Sequence, residues 1–378
     1  MKILIAPNSF KESLTAQEVA EAIFLGFSQQ YPEAEYKLLP LADGGEGTLN
    51  VLCNNLNDSL HTVTVFDPNN NEISAQYGIL ADNKTAIIES AEILGLALIA
   101  EGQRNAWLAS SYGLGQLVLD ALDKGCQKII IALGGTSTCD GGMGALTALG
   151  ARFLNKSHQP VSSGAKGLLE LASIDMEHLD PRLKNTEIIL AYDVSNLWLG
   201  EKGALLYVLQ KGAIPLQLPE FNQAFINYAS VLNTGLNTVL TGTPGTGAAG
   251  GMALAFLAFT NATLEQGSSM VLRHLDVQHS LDDTDLIISG EGQIDEQSLY
   301  GKTLVALAKL AHKKNIPIIA LAGNLGPHYE KVYECGVSAV FSIAPGPITY
   351  DHSVQQASSL LVATANQIAR LLRLGSYL

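Results

Sequence analysis

The sequence predicts an α/β protein: a Rossmann-like parallel-sheet domain formed by both chain ends, with an inserted mixed α/β second domain. Three observations carry that expectation. At both ends, short apolar runs alternate with segments of helical period, the rhythm of a parallel sheet with right-handed crossovers. The middle instead shows runs of alternating polarity around Asn- and Asp-rich turns, the pattern of antiparallel hairpins. The composition is 47% hydrophobic and only 6% aromatic with 36 glycines, which suits an Ala/Gly/Leu-rich α/β enzyme better than a β-sandwich. A chain of 378 residues has room for two or three such domains. The expected division is 1–66 with 281–378 for the Rossmann-like domain and 67–280 for the insert.

The elements follow in order. Residues 2–6 form an apolar run closed by Pro7-Asn8-Ser9, as expected of a buried first strand. Thr15 and Glu18 have capping-box spacing, and Val19, Ile23 and Phe27 recur at helical intervals, so a helix follows. Residues 36–41 read as a second strand ending in Asp43-Gly44-Gly45-Glu46-Gly47. Strands are expected at 62–66, 73–80 and 85–89, then a helix at 110–124 feeding a buried strand at 128–133. Another strand, 187–193, ends in Asp193-Val194-Ser195-Asn196. Helices are expected at 220–232 and about 247–259. Beyond 280 the rhythm is plain: strands at 286–289, 316–321 and 339–343, and helices from about Gly301 to 313, near 329–335 and from about Asp351 to the end.

Several function classes fall away. No apolar run approaches the roughly 20 residues that cross a bilayer, and the opening apolar stretch is too short for a signal peptide. Cys53, Cys126, Cys139 and Cys335 lie far apart with no CxxC, so neither a zinc site nor a disulfide scaffold is indicated and a cytoplasmic location is expected. The eight histidines contain no HExxH. A net charge of −14 without a basic run disfavours nucleic acid. Charged residues are only 15% of the chain, so one placed inside a glycine-rich turn is informative.

Ligands of open parallel sheets bind at the carboxyl ends of strands. Five predicted strands end in loops of the right chemistry: Asn8-Ser9-Phe10-Lys11; Asp43-Gly44-Gly45-Glu46; Gly134-Gly135-Thr136 through Asp140; Asp193 through Asn196; and Glu291-Gly292-Gln293-Ile294-Asp295. Glycines bring backbone N–H groups close to anions. Carboxylates hold Mg²⁺ or accept a proton. Lys11, Lys211 and Lys302 supply positive charge. Together these are the parts of phosphoryl transfer. Two look-alikes are set aside. Gly245, Gly247 and Gly250 match a dinucleotide fingerprint in spacing, but no strand precedes them; they read as a helix N-terminus. Gly301-Lys302-Thr303 resembles the end of a Walker A loop, but Glu296 stands where its first glycine belongs. Asp43, Glu46 and Asp193 also have ordinary readings as cap or turn residues. Cys139 has no evident histidine partner.

The blocks Ala6 through Leu14, Ala42 through Thr48, the 134–144 loop, Gln210-Lys211-Gly212-Ala213, the 245–251 segment and Ser289 through Asp295 resemble, in order, the signatures of the glycerate kinase type 1 family. The resemblance spans nearly the whole chain, and it implies a two-domain fold with the active site in the cleft between the domains. It implies ATP- and Mg²⁺-dependent phosphorylation of D-glycerate, giving 2-phosphoglycerate as in bacterial members. The alternatives are a 3-phosphoglycerate product or a related small hydroxy acid as acceptor. The sequence departs from the family at Asn8 (usually Asp), Cys139 (usually Asn) and Leu197 (usually Pro), and an amide at position 8 is not a general base.

On this basis Asp193, Glu291 and Asp295 form the pool for the Mg²⁺ ligand and the general base, with Asp193 and Glu291 the metal candidates. Lys11 and Lys211 are candidates for the substrate carboxylate or the migrating phosphoryl group, with Ser9, Asp43 and Asn196 beside the substrate. Gly134, Gly135, Thr136, Asp140, Gly245, Gly247 and Gly250 would cradle the ATP phosphates. The expected partners are glycerate and ATP alone, with no nucleic acid or membrane, for a monomer or homodimer. Two rival classes stand against this. An NAD-dependent oxidoreductase lacks its fingerprint between the first strand and helix, and a non-catalytic binding protein would not need a lysine and carboxylates in these loops.

Overall fold

The computed structural model describes residues 1–54, 56–235, 240–299 and 302–375, and the side chains of 234, 235 and 375 are outside that description. The chain divides into two compact units, Met1–Asp43 with Ser268–Leu378, and Gly44–Gly267. Both are α/β. No described helix is long and apolar enough to cross a membrane.

The first unit holds a five-stranded, all-parallel sheet in the order Ala339–Ser342, Ile318–Leu325, Leu286–Ile294, Lys2–Ile5, Glu35–Leu38. The chain runs outward from Lys2–Ile5 to one side, then returns to its other flank and runs outward again. The strand order therefore reverses between Lys2–Ile5 and Leu286–Ile294, the position where open sheets bind ligands. Helix Ala16–Ser28 begins at the expected capping box: Thr15 Oγ1 accepts from Glu18 N–H, and Glu18 Oε2 accepts from Thr15 N–H. Its apolar face, Val19, Ile23 and Phe27, packs with Leu361, Ala365 and Ile368 of the terminal helix Ala357–Gly375. Gly26 permits that approach, because a Cβ there would lie 2.4 Å from the Val362 carbonyl oxygen.

The second unit holds a six-stranded sheet ordered Ala262–Gln266, Glu187–Tyr192, Lys128–Ala132, Thr85–Glu89, Glu72–Ile79, Ser59–Phe66. The last two join as antiparallel hairpins, as the turns predict, but the first four strands are parallel. The insert is thus itself built largely on a parallel sheet. Strand Ala262–Gln266 was hidden by its polar end, Glu265-Gln266.

Other elements differ from expectation in bounds. Ser59–Phe66 pairs along its full length with Glu72–Ile79, so residues 44–66 belong to the second unit instead of the first. Residues 268–280 belong to the first unit, where Lys37 Nζ donates to Ser280 Oγ at 2.8 Å. Leu286–Ile294 runs past Ser289 because Glu291 and Gln293 keep their register opposite Ala322 and Asn324. The helix expected from 247 begins at Met252, since Ala249 and Gly250 are left-handed. Gly301, the expected start of the next helix, lies outside the described residues, and that helix runs Thr303–Lys313.

Candidate active site

At the reversal point of the first unit lies a pocket of about 360 Å³. Backbone pairing builds its floor: Ala6 N–H donates to Ile288 O, and Asn8 N–H to Gly290 O, both at 2.8 Å. The strand ends therefore present Asn8, Ser9 and Lys11 from one side and Glu291 and Gln293 from the other. Asp43 joins them, its neighbour Ala42 held by Thr303 Oγ1 at 3.0 Å. Lys302 completes the charged lining.

Glu291 is 6% exposed. Its Oε1 accepts from Ser298 Oγ at 2.7 Å, and Lys302 Nζ stands 3.7 Å from Oε2. Burial raises its pKa above the ordinary value, and the negative charges of Asp43 and Asp295 add to the rise, against the pull of Lys302 and Ser298. A carboxyl so raised takes up a proton or a cation more readily than an exposed one.

The second unit has a smaller pocket of about 130 Å³ at the carboxyl ends of Lys128–Ala132 and Glu187–Tyr192. Gly134, Gly135, Thr136, Asp193, Lys211, Gly247 and Gly250 line it. The two glycine-rich segments form one framework: Gly141 N–H donates to Gly250 O at 3.0 Å. Gly250 sits at φ +67°, and a Cβ there would fall 1.9 Å from the Thr138 carbonyl oxygen. Lys211 is 4% exposed and donates to Thr138 O at 2.9 Å and Thr136 Oγ1 at 3.4 Å. Burial lowers its pKa, while nearby Cys139 and Asp140 oppose the fall.

Four expected site residues do other work. Asp140 is fully buried and lines neither pocket. Its carboxylate accepts from Ser111 N–H, Ser111 Oγ, Gly142 N–H and Gly144 N–H, so it fastens the glycine-rich loop from beneath. Asn196 is engaged at both ends of its amide, donating to Lys202 O at 2.6 Å and accepting from Tyr207 Oη at 2.8 Å. Asp295 accepts from Gln297 N–H at 2.8 Å and from Gln293 Nε2, an Asx turn outside the lining of the first pocket. Gly245 is buried against the Tyr192 ring and is not part of the lining. Burial pushes the Cys139 thiol up to about 11, which leaves it inert as a nucleophile.

Two residues that motif reading passed over matter to the geometry. Tyr350 lines the first pocket from a helix more than three hundred residues downstream of Lys11. Glu89, 2% exposed, accepts from Gly47 N–H and Leu49 N–H, each at 3.0 Å, and so fixes the glycine turn that follows Asp43. Its place at the end of a strand was the available signal.

A parallel sheet with lysines and carboxylates at its reversal point, and glycine-rich loops ending other strands, defines an α/β phosphotransferase. The chain belongs to the glycerate kinase family, whose model matches residues 3–373. It is 42% identical to a glycerate kinase of Halalkalibacterium halodurans over 97% of both chains. It is 39% identical to the glycerate 2-kinase of Escherichia coli over 99% of both. It also superposes with a TM-score of 0.86 on the crystal structure of a Salmonella typhimurium protein described as glycerate kinase 2, at 40% identity and with full coverage of both chains.

Proposed function

We propose that the protein transfers the γ-phosphoryl group of ATP to D-glycerate, giving 2-phosphoglycerate. The product follows the name of the Escherichia coli relative, glycerate 2-kinase. The observation that carries the assignment is the pocket holding Lys11, Lys302, Asp43 and Glu291 together at the sheet's reversal point. Glycerate brings one carboxylate and two hydroxyls, which call for a cation and for hydrogen-bonding groups such as Asn8 and Ser9. Lys11 grips the carboxylate, so that one hydroxyl is held for in-line attack.

The donor set fits Mg²⁺. Among the described residues no group of three or more His, Cys, Asp or Glu side chains makes a protein-only metal cage. Mg²⁺ characteristically takes one or two carboxylates and completes its shell with phosphate oxygens and water. The Asp43 carboxylate raises the cost of ionising Glu291, a repulsion that a divalent cation relieves. These two would hold the ion, which when bound neutralises charge on the phosphates. Backbone N–H groups of Gly135, Thr136 and Gly250, with Lys211, cradle the ATP phosphates, while the N–H groups of Gly134 and Gly247 are taken by Gly44 O at 3.3 Å and Asn196 O at 2.8 Å. Asp193 accepts the proton of the attacking hydroxyl.

The test is ADP release with D- and L-glycerate, for the wild type and Asp193→Asn. The wild type turns over the D form. The variant loses roughly 10²–10⁴-fold in kcat, the usual contribution of a positioned acid or base, while its far-UV CD is unchanged. A variant of near-normal kcat would remove Asp193 from the chemistry.

A further inference from the structure

The turn that carries Lys11 is tied to the C-terminal part of the chain. Phe10 and Leu14 exchange backbone hydrogen bonds, each 2.9 Å, and between them Glu12 sits at φ +62°, a conformation that residues other than glycine seldom adopt. Tyr350 Oη donates to Glu12 Oε2 at 2.8 Å, and Ser13 Oγ donates to Val354 O at 3.1 Å. Tyr350 and Val354 belong to helix Tyr350–Gln355, which lines the same pocket as Lys11. That helix is held at its start by Thr349, whose Oγ1 accepts from His352 N–H. Two side-chain bonds thus fix the turn to one wall of the pocket.

Glu12 adjoins Lys11 in the chain, and both side chains are exposed and long enough to meet. An ammonium paired with its neighbour's carboxylate attracts a substrate anion less strongly, since the two charges largely cancel at a distance. The geometry points to Tyr350 as a positioning residue: by engaging the Glu12 carboxylate it keeps that charge off Lys11, so the ammonium stays available to the anion of the substrate. The bond to Glu12, with a lesser effect of burial, raises the Tyr350 hydroxyl above its ordinary value, so it remains a donor across the working pH range. The role rests on the assignment of Lys11 to the glycerate carboxylate. It adds a selective feature: a ring hydroxyl governs the affinity for glycerate without touching the phosphoryl group.

The experiment measures kcat and the KM for glycerate in Tyr350→Phe, Glu12→Gln, the double variant and Lys11→Met. Tyr350→Phe keeps the ring and frees the carboxylate. Its KM should rise about two- to five-fold with kcat essentially unchanged, as expected for an exposed charge-assisted bond. Adding Glu12→Gln removes the competing charge and should return KM to within about two-fold of the wild type, a rescue that a merely structural bond would not give. Glu12→Gln alone should leave KM equal or lower. Lys11→Met should raise KM and abolish the sensitivity to position 350. If Lys11→Met raises KM while Tyr350→Phe does not, or while the double variant is not rescued, the role of Tyr350 is overturned and that of Lys11 stands. If Glu12→Gln alone raises KM, the shielding is overturned even should Tyr350→Phe fail to fold. If Lys11→Met leaves KM unchanged, the assignment of Lys11 fails, and the role of Tyr350 with it.

Discussion

Glu89→Gln tests the electrostatics behind the 44–49 turn. Two backbone N–H groups favour the Glu89 carboxylate, but burial outweighs them and Glu92 and Glu46 add repulsion, so its pKa climbs from an ordinary 4.5 to about 7. A carboxyl raised on folding binds its proton more tightly in the native state. Its contribution to stability is therefore fully present below 4.5 and is lost as pH rises to about 7. At 1.36 kcal/mol per unit, the shift amounts to about 3 kcal/mol, of which roughly 2–3 kcal/mol is lost between pH 5 and 8. Glutamine has no proton to lose. It also disturbs one of the two N–H bonds, but by an amount that does not change with pH. Relative to the wild type, Glu89→Gln should gain about 2–3 kcal/mol between pH 5 and 8, or roughly 4–12 °C in the Tm of the second unit. Thermal unfolding at the two pH values, with all other ionisations common to both proteins, reads this difference. Parallel curves, with the same Tm offset at both pH values, would refute the reasoning, because Glu89 would then ionise alike in the folded and unfolded chains.

Two further outcomes follow from the glycine-rich framework. In Asp140→Asn the amide oxygen replaces Oδ2 and keeps the three donors there, but its NH₂ faces the Gly142 N–H, so one bond is lost. The loss should be about 1–3 kcal/mol, or roughly 3–10 °C in Tm, with the KM for ATP rising as the loop loosens; an unchanged Tm would contradict the fastening role. Lys211→Met keeps the buried volume and removes the ammonium beside Thr136 and Thr138. The KM for ATP should rise about ten-fold or more against a small change for glycerate, as for loss of one charge-assisted contact, and the opposite ordering would move Lys211 to the acceptor side.

What motif reading reaches, and where it stops, is visible in particular residues. The capping box at Thr15 and Glu18 is local chemistry, and it forms as spaced. The strand ends carrying Ser9, Lys11, Asp43, Gly134, Asp193 and Glu291 are equally local signals, and each lines a pocket. Sequence cannot show how a polar side chain is consumed. Asn196 is engaged by Lys202 and Tyr207, and Asp295 by Gln293 and Gln297 of its own turn. Asp140 carries a suitable group in a suitable loop, yet its carboxylate is taken up by Ser111, which only folding brings near. Tyr350 was illegible for the same reason: its partner Glu12 is 338 positions away. The junction at Asp43 and Gly44 was equally hidden, since it depends on which sheet Ser59–Phe66 joins.

The regiochemistry of transfer tests the central claim most directly. Proton-coupled ³¹P NMR of the product from D-glycerate and ATP distinguishes an ester on the C2 methine, a doublet, from one on the C3 methylene, a triplet. A doublet growing with the ADP signals is the predicted result. A triplet, or no change in ATP, would contradict it.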